Sequence, residues 1–181
     1  MSDRLPSRQT AIRLLKQSGC ARRVIQHCKT VAKLAVTIAK ILQKKGYKVD
    51  VRLVEIGALL HDIGRSETHD VNHAIVGAKI AEDSCLPESI IRIIERHVGA
   101  GIPPDEAERI GWPKKSYMPQ TLEERIVNYA DKLVEGTHRV SMEQTIANFS
   151  RKMGKNHPAI QRLKALDKEF QSLLGESKCK P

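Results

Sequence analysis

Aromatic residues are nearly missing from this chain: one Trp, three Tyr and two Phe occur among 181 residues. Their scarcity argues against a surface that holds RNA by stacking bases, though not against binding through the backbone. No apolar run approaches the roughly 18 residues of a membrane span, so no membrane partner is expected. The first ten residues, MSDRLPSRQT, contain no apolar signal-peptide core. The four cysteines, at positions 20, 28, 85 and 179, form no CxxC pair and no zinc-finger spacing. They are expected to be reduced thiols in a cytoplasmic protein. A Gly-rich phosphate cradle is also missing, so a phosphate would have to be held by side chains or by metal.

Charge and helical period are what the chain has in quantity. Charged residues make up 29% of it and the net charge is +10. Residues 1–26 hold six Lys/Arg against one acid, residues 132–181 hold ten against five, and the middle is balanced. Such flanks can attract nucleotides or nucleic acid, but a solvated surface is the simpler account, so charge names no partner. Length and composition suit a single all-α domain, a helical bundle. Its oligomeric state is left open.

Apolar spacing predicts helices over about 7–17, 21–45, 51–63, 72–84, 87–98, 121–135, 141–153 and 157–174. The third is apolar nearly all round and belongs at the centre. Gly64 is expected to permit a sharp exit from the third, Gly99 to Gly101 to end the fifth, and Gly136 the sixth. Residues 99–120 read as a long loop. Four His and two Asp fall on inward-facing positions of five helices: His27, His61, Asp62, His73, His97 and Asp131. Any one of them could be an ordinary satisfied core group. Six in one small domain call for a metal, and imidazole with carboxylate suits iron, manganese, cobalt, nickel or zinc.

The segments LLHDIGR (59–65) and YADKLVEG (129–136), with His27 upstream in GCARRVIQHC, resemble the motifs of the HD-domain superfamily of metal-dependent phosphohydrolases. The resemblance runs over about 20–136, leaving residues 1–19 as a helix and 137–181 as helices packed on that core. It implies a helical bundle in which His27, His61, Asp62 and Asp131 bind one divalent metal. HAIVGAKIA and RHVGAG, carrying His73 and His97, resemble the extra motifs of dinuclear HD hydrolases, among them bacterial hydrolases of diadenosine tetraphosphate and cyclic-dinucleotide phosphodiesterases, and imply a second metal; the overall pattern resembles archaeal-type HDIG proteins. Asp62 is then the expected bridge between the two. Arg65 stands where mononuclear HD nucleotidases carry a Glu, and it resembles the Lys that dinuclear relatives place on substrate phosphate.

The expected activity is hydrolysis of a nucleotide phosphoester or phosphoanhydride, such as a dinucleoside polyphosphate, with Asp62 and Arg65 as the catalytic pair. A mononuclear nucleotidase or phosphatase is one alternative, and a non-catalytic nucleotide- or RNA-binding module is another. His69 is a loop His either at the mouth of the site, where it could meet substrate, or merely solvated. In the 99–120 loop, Trp112 and Tyr117 are candidates to stack on a purine, and Lys114 and Lys115 to meet further phosphates. The competing account is that Trp112 only pins the loop to the bundle.

Overall fold

The computed structural model describes residues 4–175, so Cys179 lies outside the described residues. In chain order the helices are α1 (Arg8–Gln17), α2 (Arg22–Lys44), α3 (Val51–Leu60), α4 (His73–Asp83), α5 (Glu88–Glu95), α6 (Pro104–Arg109), α7 (Leu122–Lys132), α8 (Met142–Met153) and α9 (Pro158–Leu174). A 3-10 turn at Ile63–Ser66 follows α3. The sheet content of the described residues is one antiparallel hairpin of β1 (Val134–Glu135) and β2 (His138–Arg139). The protein is all-α in the sense its sequence predicts.

Asp50 starts the central helix. Its carboxylate accepts hydrogen bonds from the backbone N–H groups of Arg52 and Leu53, both at 2.9 Å, satisfying donors that a helix start leaves open. Val54, Ile56, Ala58, Leu59 and Leu60 of α3 are then buried, with α2, α5 and α7 packed against the helix. Helix α2 turns its stripe of Val24, Cys28, Val31, Ala35, Ile38 and Leu42 onto this centre. From the C-terminal part, Leu163, Leu166 and Phe170 of α9 enter the same core, where the Phe170 ring stacks on Tyr129 at 4.2 Å between centroids. Among the described residues no helix is long and apolar enough to cross a membrane.

Three local differences from the sequence reading matter for the site. Helix α3 ends at Leu60, so His61 caps it and Asp62 opens the 3-10 turn. Helix α5 ends at Glu95, which leaves His97 just beyond the helix, ahead of the glycines expected to stop it. Gly136 does not end α7, which stops at Lys132; with φ of 60° it makes the turn of the hairpin.

Gly64 is needed for a reason other than the sharp exit expected of it. A Cβ there would lie 2.0 Å from the His73 carbonyl oxygen and 2.5 Å from the Gly77 nitrogen. The missing side chain therefore lets α4 rest directly on the 3-10 turn, which carries His73 toward Asp62.

Residues 99–120 are not a bare loop. They contain α6 and form a small core with Ala74 of α4, in which Ala74, Ile102, Ala107, Trp112 and Tyr117 are buried together.

Candidate metal centre

The six inward-facing residues named from sequence meet at one place. His27 comes from α2, His61 and Asp62 from the end of α3, His73 from the first position of α4, His97 from just after α5, and Asp131 from α7. His61, Asp62, His73 and His97 are buried, while His27 and Asp131 are partly open to a cleft. Asp131 Oδ1 lies 3.0 Å from His27 Nε2 and 3.4 Å from His61 Nε2. Asp62 Oδ1 lies 3.2 Å from His73 Nε2 and 3.4 Å from His97 Nε2, and its Oδ2 lies 3.8 Å from His27 Nε2.

All four rings are oriented in the same way. Nδ1 of His27 donates to the Gly136 carbonyl at 2.9 Å, His61 to Ala58 at 2.8 Å, His73 to Asp70 at 2.5 Å and His97 to Ile94 at 2.7 Å. A carbonyl oxygen can only accept, so each Nδ1 carries the proton and each neutral ring points a bare Nε2 lone pair inward. His73 Nε2 and His97 Nε2 face each other at 3.0 Å, which two lone pairs tolerate only with a cation or an extra proton between them. The proton is the poorer answer for His97, because burial pushes its pKa down to about 4. His61 Nε2 and Asp62 Oδ1 are buried without any hydrogen-bond partner, at a cost of about 1–3 kcal/mol each if nothing met them. These residues fit a divalent metal ion. His27, His61 and Asp131 form one group with ligand atoms close enough to share an ion; His61, Asp62 and His97 form another.

Both carboxylates are held ionised. Burial would raise Asp131, but the Lys132 ammonium 2.5 Å away and the nearby imidazoles hold it well below the usual range. The same balance, with His61, His73 and His97 outweighing burial, lowers Asp62. His27 is pulled down by burial and pulled up more by its bond to Asp131, so its pKa is raised overall.

Arg65 donates from Nε to Asp62 Oδ2 at 2.7 Å and from a terminal nitrogen to the His69 carbonyl at 3.3 Å. It lines a cleft of about 420 Å³ with Arg23, His27, Asp62, Asp131 and the exposed His69. A second cleft, of about 580 Å³, adjoins the first, sharing Arg65, Asp131, Lys132 and Phe149 with it, and runs past His73 and His97. Its wall is largely apolar, with Val98, Ile102, Ile110, Phe149 and Met153.

The loop residues are not brought to the site. Trp112 and Tyr117 are buried edge to face on each other at 4.9 Å, and the indole Nε1 donates to Asn72 Oδ1 at 2.7 Å. Neither ring offers a face to a purine, so the pinning role is the one the structure supports. Lys114 pairs with Glu108 and Lys115 with Glu95, at 2.8 and 2.7 Å.

The sequence reading missed Lys132. Its buried ammonium bonds Asp131 and also the His97 carbonyl at 3.2 Å, tying α7 to the segment after α5. The available signal was its place immediately after an inward Asp. A lysine in the last turn of a helix more often answers the helix dipole in solvent.

Comparison with known proteins agrees with this geometry. The chain is 46% identical over 166 residues to the uncharacterized protein MJ0778 of Methanocaldococcus jannaschii, covering 92% of this chain and 98% of that one. It is 39% identical over 171 residues to the tRNA (cytidine(56)-2'-O)-methyltransferase of Picrophilus torridus, covering 94% of this chain but only 48% of the methyltransferase. The crystal structure of the L. monocytogenes phosphodiesterase PgpH HD domain in complex with cyclic-di-AMP superimposes with a TM-score of 0.55 at 19% identity, covering 95% of this chain and 98% of that domain. The HD domain family matches residues 24–136. That segment spans more than half of the chain and carries all six converging His and Asp residues, and the chain belongs to the HD-domain family.

Proposed function

We propose that the chain is a metal-dependent phosphohydrolase acting on a phosphoester or phosphoanhydride of a nucleotide. The observation that carries this reading is the convergence of four bare imidazole nitrogens on two ionised carboxylates. His27, His61, Asp62 and Asp131 would hold one divalent cation, and His73 and His97 a second, with Asp62 between the two. Such ions would act as Lewis acids and would lower the pKa of a water near neutral pH.

The chain's own groups do the rest. Lys132 and the imidazoles keep Asp131 ionised, so it meets a cation without first losing a proton. Arg65 spends its Nε on Asp62 and stands at the cleft, where its charge can offset the negative charge that builds on phosphoryl oxygens. His69 and Arg23 flank that entrance, their side chains 3.4 Å apart. The apolar cleft beside His73 and His97 suits the base of a nucleotide, a role that passes from Trp112 and Tyr117 to Ile110, Phe149 and Met153.

Two relatives support a nucleotide or nucleic-acid substrate. One is solved with cyclic-di-AMP, and the other is named as a tRNA-modifying enzyme in which this chain matches about half the length.

The test is metal analysis of anaerobically purified protein followed by a nucleotide and phosphodiester screen. One or two divalent transition-metal ions per chain are expected, with hydrolysis that Asp62→Asn abolishes. Protein that takes up no divalent metal, or an Asp62→Asn variant with full turnover, would overturn the assignment.

A further inference from the structure

We propose that the outer face of α2 is a groove for single-stranded RNA, one end of which reaches the cleft of the metal centre. Binding in the groove stands on its own observations; only the fate of the strand at the metal centre rests on the hydrolase reading.

Helix α2 carries six Lys/Arg and no Asp or Glu over 23 residues. Lys29, Lys33 and Lys40 lie along one row of it, and Arg139 of the hairpin joins them around a groove of about 860 Å³. Some surface cations are answered by acids on the same helix face, as in Lys79–Asp83 at 2.8 Å and Arg92–Glu88 at 3.0 Å. Among the described residues, Lys29, Lys33, Lys40 and Arg139 have no acidic partner, and the acid in the groove, Glu55, is taken by Arg8. Lys29 with Lys33, and Lys40 with Lys44, are like charges four residues apart, an arrangement that costs an isolated helix stability. An anionic ligand along the row removes that cost.

The groove also distinguishes the kind of anion. Between the lysines stand Thr30 and Thr37, whose hydroxyls donate to the carbonyls of Gln26 and Lys33 at 3.0 and 2.9 Å. With their protons spent on the helix, both oxygens keep lone pairs for a donor from outside. A ribose 2′-hydroxyl is such a donor, spaced along a phosphate chain; deoxyribose has none. The row from Lys29 to Lys40 is about 17 Å long at 1.5 Å per residue and one charge wide, which fits one strand followed along its backbone. The few aromatics agree with recognition of backbone rather than bases.

The hairpin joins this groove to the metal centre. Thr137 and Arg139 line the groove, and Glu135 and Gly136 line the cleft that holds His27, Asp62 and Asp131. His27 Nδ1 fixes the Gly136 carbonyl at 2.9 Å, so a strand leaving Lys29 crosses one fixed turn to arrive at the ligands.

The experiment is fluorescence anisotropy of the full chain with a fluorescein-labelled twelve-residue oligouridylate, in EDTA so that the strand stays intact. Four cations on a single strand predict that log K falls with log salt at a slope of about −3. The triple variant Lys29→Gln/Lys33→Gln/Lys40→Gln is expected to bind at least tenfold more weakly at low salt, with a slope shallower by about 2. Its turnover of bis(p-nitrophenyl) phosphate in manganese should match the parent, because none of the three touches the metal centre. Unchanged affinity and slope in the triple variant overturn the groove. Equal binding of a twelve-residue oligothymidylate overturns the assignment to RNA, and tighter binding of duplex RNA of the same length overturns the single strand. Protein that binds oligouridylate through these lysines but cleaves no phosphoester keeps the groove and loses the proposed hydrolase.

Discussion

Trp112 and Asn72 are joined by a 2.7 Å hydrogen bond from the indole Nε1 to the amide oxygen. Asn72 is the residue before His73, so the segment after α6 is fastened to the start of the helix that delivers His73 to the cluster. This bond gives the tryptophan a positioning role at a distance from any substrate.

Replacing Trp112 with Phe should therefore act on stability. Losing one such bond and leaving Asn72 Oδ1 without its donor costs about 1 kcal/mol, or roughly 2–4 °C in Tm for a chain of this size. The KM for a nucleotide or aryl phosphodiester should stay within about twofold. A large rise in KM with an unchanged melt would return the indole to the substrate.

Gly64→Ala should be far more damaging. The new methyl would sit 2.0 Å from the His73 carbonyl, a contact that side-chain rotation cannot relieve. Helix α4 must move away, at a cost above about 3 kcal/mol, and take His73 with it. The measurements are a thermal melt and metal content by mass spectrometry. Wild-type values of both would show that the helix has room the structure denies it.

Metal stoichiometry separates the two readings of the centre. His73→Ala or His97→Ala should lower occupancy from about two ions to about one. One tightly held ion in the parent protein, unchanged in either variant, would favour the mononuclear alternative.

The metal-free protein should lose stability on mild acidification. Burial pushes His97 down to about 4 from an ordinary 6.5, so the unfolded chain binds the additional proton between those values. The stability at stake is fully present above pH 6.5 and is lost as pH falls toward 4. Asp62 and Asp131, both lowered, have the same sign and are lost at still lower pH. His27, raised, works the opposite way: its share is present below 6.5 and lost as pH climbs through its raised value. Melting temperature against pH after chelation should thus fall from 6.5 to 4, less steeply in His97→Gln. Identical slopes in the two proteins would contradict the burial of His97.

Thiol chemistry gives an independent check of packing. In a Cys179→Ser background, a thiol reagent should modify exposed Cys85 quickly in the native protein. Cys20 and Cys28 should react only on unfolding, since both are buried and burial pushes their thiols up, Cys20 to about 11. Fast modification of three thiols would mean that α2 is not seated as described.

The helices were readable where a buried face repeats over several turns. Helix α2 has ten buried positions at helical spacing, and His27 could be placed beside Cys28 from that period alone. The convergence of the four His and two Asp was readable because polar residues on such faces are conspicuous. Helix α6 escaped notice because its six residues bury a single side chain, Ala107, which is too little for any periodicity. The roles of Trp112 and Tyr117 were not readable, since an aromatic residue that packs under a loop has the same local sequence as one that waits for a ligand. Gly64 was recognised as special, but the neighbour that requires it is nine residues away and comes close only through the fold.

The four imidazoles owe their orientation to carbonyl oxygens of Gly136, Ala58, Asp70 and Ile94, which are peptide groups rather than side chains. In many metal proteins the same task falls to carboxylates, and one point mutation can undo it. Here no substitution deletes the acceptor; only a shift of the chain can move it. Selection can thus rework the walls of either cleft, one residue at a time, while the tautomers at the centre stay fixed. Such an arrangement is tolerant of drift, and it allows descendants of one core to diverge in the shape of their clefts long before the four imidazoles lose their common orientation.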